Sequence, residues 1–83
     1  SMSNQISVSA DYLESISEQI VLLNIDTIHL AMALQAVTTD NPVSGGVINA
    51  VITALRATSK SMEDITEVIG LHVDHGKAGG NRP

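Results

Sequence analysis

Cysteine, tryptophan and phenylalanine are absent from these 83 residues, and Tyr12 is the single aromatic. Without cysteine, neither a disulfide scaffold nor a thiolate zinc site can form, and the composition agrees with a reducing compartment, so a cytoplasmic location is expected. Basic residues are nearly as scarce: Arg56, Lys60, Lys77 and Arg82 stand against nine Asp and Glu, giving a net charge of −5. Such a chain repels phosphate, and nucleic acid is not an expected partner. The first basic residue is Arg56, so the positively charged opening of a secretory leader is missing, and Ser1 ahead of Met2 reads as a cloning remnant. The longest stretches free of Asp, Glu, Lys and Arg are residues 27–39 and 41–55. Both are shorter than the roughly 20 apolar residues a spanning helix needs, so a membrane is not an expected partner either.

The chain is rich in aliphatic residues. Apolar residues make up 43% of it and the mean hydropathy is +0.20, too high for a disordered acidic chain. Its length allows one small domain, a size that commonly needs oligomerisation when disulfides and metals are lacking.

Leu13, Ile16, Ile20, Leu23, Thr27, Leu30, Leu34 and Val37 recur at alternating steps of three and four, the spacing of one helix face. Ser9 can cap this helix, or Asp11 can do so with Glu14 three positions on. Helix 1 is expected over about residues 10–38, after a flexible stretch at 1–9. The run Thr39-Asp40-Asn41-Pro42 signals a turn, because proline restricts its predecessor and favours the first helical position, while Asn and Asp supply capping oxygens. Helix 2 therefore starts after Asn41 or, with Ser44 as the cap, at the Gly45-Gly46 pair, which also suits tight packing.

Ile48, Val51, Leu55, Thr58, Met62, Ile65 and Ile69 continue the same spacing, opposite a polar row containing Asn49, Thr53, Arg56 and Lys60. Ser61 with Asp64 resembles a capping box that would split the element near residues 58–61, but the phase runs through without a slip and favours one helix over about residues 43–69. Gly70 reads as a left-handed cap, leaving residues 71–83 as a flexible tail. Ala50, Ala54 and Ala57 lie beside the main row and permit close helix approach.

The fold class expected is thus all-α: a long two-helix antiparallel hairpin over residues 10–70. Helix 1 carries a second apolar stripe, Val21, Ile25, Ile28 and Met32, around 150° from the first. A lone hairpin covers one stripe, so these four residues are the expected interface with a second copy, forming a homodimeric four-helix bundle. Met32 and Met62 suit either an adaptable groove or ordinary core filling.

Chemistry-bearing patterns are few. His72, Asp74 and His75 place two imidazoles and a carboxylate within four residues, a weak candidate for Zn²⁺ or Ni²⁺ that a glycine-flanked tail would hold poorly; no metal or cofactor is expected. His29, with Asp26 three residues before it, suits a surface ion pair or an interface contact. No nucleophile motif surrounds the serines, Glu14, Glu18, Glu63 and Glu67 are spaced like a solvated helix surface, and Gly45-Gly46 lacks the lysine of a phosphate loop. An enzyme is therefore not expected. The sequence points to a protein–protein interaction or assembly module that pairs with itself, as adaptor, regulator or structural subunit. The alternative is an obligate heteropartner such as a secretion chaperone, an antitoxin or an immunity protein, poorly folded alone.

Overall fold

The computed structural model describes residues 7–80. Two helices, α1 (Ala10–Gln35) and α2 (Pro42–Gly80), fold back on each other across a six-residue connection. The resulting flat hairpin measures 66 × 27 × 14 Å, and all regular structure among the described residues is helical.

Local chemistry sets the ends. The Ser9 backbone is extended, its Oγ accepts a hydrogen bond from the Tyr12 N–H at 3.1 Å, and its carbonyl accepts from the Leu13 N–H, so Ser9 rather than Asp11 is the cap. At the other end α1 tightens: the Ala36 and Val37 N–H groups donate to carbonyls three residues back. The helix closes at Gln35, three residues short of the expected boundary. Asn41 starts α2, its Oδ1 accepting from the Val43 and Ser44 N–H groups at 2.9 and 3.1 Å, with Pro42 in the first helical position. Thr39 Oγ1 accepts from the Asn41 N–H and steadies the turn. A Cβ added at Gly45 would meet only Thr39 Cγ2, at 3.8 Å, and one at Gly46 would meet nothing, so neither glycine is required by close packing.

The helices do not meet where the large side chains suggest. On α1 the buried and partly buried positions are Ala10, Leu13, Ser17, Ile20, Asn24, Thr27, Ala31 and Leu34, with Glu14 and Ile16 at the edge. On α2 they are Gly45, Ile48, Ile52, Leu55, Ser59, Met62, Thr66, Ile69 and Val73, with Gly70 beside them. Both series keep the three-four step, but every second α1 member is small or polar. Ala31, Ile52, Ser59 and Val73 are the most deeply covered, and Leu23, Leu30, Val37, Val51 and Ile65, expected in the seam, are exposed. Thr58, Ala50, Ala54 and Ala57 are exposed as well. Small side chains let helix axes approach closely, which is why Ala10, Ser17 and Ala31 take the centre and the bulky rows flank it. The two seam threonines bond to their own helix: Thr27 Oγ1 donates to the Leu23 carbonyl at 2.8 Å and Thr66 Oγ1 to that of Glu63 at 2.9 Å.

The expected stop at Gly70 is also corrected. Among the described residues no glycine has a positive φ, so Gly70 makes no left-handed cap, and α2 continues unbroken through residues 58–61 and on to Gly80. Val73, 4% exposed, supplies the reason: it continues the buried row of α2 past Gly70, and packing in the seam carries the helix past the glycine. The tail expected at 71–83 is therefore helical over 71–80, and the expectations for residues 1–6 and 81–83 fall outside the described residues.

Candidate protein-interaction surfaces

A seam built from small residues leaves bulky rows on both sides of the hairpin. The first side holds Val21, Ile25, Ile28 and Met32, the stripe expected as an interface, and each is 38–59% exposed in the single chain. Ile28 and Met32 stand beside a groove of about 290 Å³ whose far wall is Arg56, Lys60 and Glu63 of α2 and whose floor includes Ala31 and Ser59. Short side chains at those two seam positions create the hollow. An adjoining hollow of about 300 Å³, sharing Gln35 and Arg56, extends toward the turn past Leu34, Ile48 and Ile52. Lys60 makes an exposed ion pair with Asp64 at 3.4 Å, one helical turn on. Met32 thus lines a groove while Met62 fills the seam, one methionine in each of its two expected roles.

The groove fixes the pairing of flanks: Ile28 and Met32 lie on the same side as Arg56 and Lys60. The opposite side must then combine Leu23 and Leu30 of α1 with Val51 and Ile65 of α2, joined at the margin by Val47 and Val68. These six are 41–59% exposed. A shallow depression of about 270 Å³ between Asp64, Ile65, Val68 and Ile69 indents this second side. Reading Leu23, Leu30, Val51 and Ile65 as hairpin core hid it. The available signal was the small or polar residue recurring every seventh position, Ala10, Ser17, Asn24 and Ala31, between two bulky rows.

The weak metal candidates do not converge. On a continuous helix His72 and His75 share a side, but Asp74, two residues from the first, points about 200° away. Among the described residues no group of three or more His, Cys, Asp or Glu could hold a metal ion. His29 and Asp26 are both exposed. Among the described residues Asn24 is the one buried anomaly: its Oδ1 has no hydrogen-bond partner within the hairpin. Among the described residues no helix is long and apolar enough to cross a membrane. No family model, curated protein or solved structure matches the chain.

Proposed function

We propose that this chain is a non-enzymatic assembly module whose hairpin pairs with a second copy through the Val21, Ile25, Ile28 and Met32 side, forming a homodimeric four-helix bundle in the cytoplasm that serves as adaptor, regulator or structural subunit. The carrying observation is that apolar row, half-exposed beside a groove with a charged far wall. Burying the exposed half of four such side chains contributes about 3–6 kcal/mol per chain, and twice that in a symmetric pair. That range overlaps the roughly 4–15 kcal/mol cost of association, so the pairing needs further help. Charge supplies it. Arg56 and Lys60 lie toward the turn end of this side, Glu63 near its middle, and Glu18, Glu67 and Asp74 toward the open end; all six are exposed. An antiparallel two-fold pairing sets the basic half of one copy against the acidic half of the other.

Sedimentation of Ile25→Asp tests the reading. Assembly through this side should be lost while the far-ultraviolet helical spectrum is retained, and an unchanged mass would defeat the assignment. A chain that is largely unfolded alone and gains helix only with a second protein would instead be an obligate heteropartner.

A further inference from the structure

A dimer formed on the first side leaves the second side of the flat hairpin bare. We propose that the second side, centred on Leu23, Leu30, Val51 and Ile65, also takes a second copy of this chain, so that pairs built on the first side are joined into larger assemblies. The inference rests on the reading above for what occupies the first side, but on separate observations for the second.

Charge identifies the occupant. In a two-fold contact the same patch meets itself, so each charge near the axis meets its own twin. The chain carries −5, yet between Tyr12 and Val68 the positions flanking the seam on this side are Tyr12, Ile16, Gln19, Leu23, Asp26, Leu30 and Ala33 on α1, and Val47, Val51, Ala54, Thr58, Ser61, Ile65 and Val68 on α2. Asp26 is the only formal charge in these rows, and Asp64, paired with Lys60, stands at the rim of the depression beside Ile65 and Val68. Mutually repelling copies approach most readily where the facing surface carries few charges, whereas a foreign partner is ordinarily selected by opposite charge.

The area agrees. The 26 residues of α1 run roughly 39 Å, and two helices side by side are roughly 20 Å across, a patch of roughly 800 Å². A stable, specific interface covers about 800 Å² on each partner. The depression between Ile65 and Val68 gives a protruding aliphatic side chain of the copy a seat.

Sedimentation of four proteins across a concentration series tests this: the natural chain, Ile25→Asp, Leu30→Asp and the double variant. The natural chain should exceed 17.4 kDa, twice its 8.7 kDa, with a mass that grows with concentration. Each single variant should stop at the dimer, and the double variant should be a helical monomer. If Leu30→Asp leaves the mass of the natural chain unchanged, the second side takes no copy and the proposal is overturned. If Ile25→Asp changes nothing while Leu30→Asp gives a monomer, the second-side contact stands and the first-side assignment fails. A natural chain that is only a dimer, and that Ile25→Asp reduces to a monomer, also overturns it. Should Leu30→Asp lose helicity, Ile65→Lys, on the other helix, replaces it in the same comparison with the same outcomes.

Discussion

Replacing Val73 with aspartate should unravel the end of α2 while leaving the rest of the hairpin intact. The segment beyond Gly70 is a poor helix by itself, because Gly70, Gly76, Gly79 and Gly80 each disfavour helix by about 1 kcal/mol relative to alanine. Against that deficit of about 4 kcal/mol stands the burial of Val73, the most covered apolar side chain of the hairpin, which contributes about 1.5–3 kcal/mol besides the backbone hydrogen bonds propagated from the preceding turns. A carboxylate cannot take that place, so the contact is lost outright. Residues 71–80 are ten of the 65 helical residues, and their melting removes about 15% of the helical signal. Hydrogen exchange resolved by residue is the sharper assay: amides 71–80 should lose protection in Val73→Asp, while those of 13–35 and 46–66 keep theirs. Equal protection at 71–80 before and after the substitution would refute the claim that the seam holds this segment.

Asn24→Ala should stabilise the hairpin by about 1–2 kcal/mol, because it removes a buried oxygen without a partner and leaves a residue type the same row already uses at Ala10 and Ala31; thermal unfolding reads this as a higher Tm. Gly70→Ala should add about 1 kcal/mol, since a Cβ there meets nothing within 4 Å and the backbone φ is not positive; a destabilised variant would restore the left-handed cap. Raising salt from 0.1 to 1 M should weaken the pairing in Leu30→Asp, where basic and acidic halves meet, and leave the pairing in Ile25→Asp unchanged or tighter, as sedimentation at each salt concentration would show.

Much of the fold is legible in the chain itself. Asn41-Pro42 announces the start of α2, Ser9 caps α1, and unbroken helical spacing on both sides of the turn implies a hairpin. Two features are not legible from periodicity alone. The phase of the seam depends on how closely two backbones approach, and a search for large side chains finds the rows beside the contact before the small residues within it. The end of α2 depends on Val73 packing in the seam, a tertiary contact that overrides the local stop signal of Gly70. The apolar stripe Val21, Ile25, Ile28 and Met32 was readable as a second face, whereas the charged wall of its groove and the sparsely charged surface opposite emerge only when α2 is laid beside α1.

The central claim, that this hairpin is built to be covered by copies of itself, is tested most directly by its mass in solution at micromolar concentration. Two chains or more, at least 17.4 kDa with a full helical spectrum, is the expected result. A stable, fully helical 8.7 kDa monomer with both bulky sides in water would contradict it.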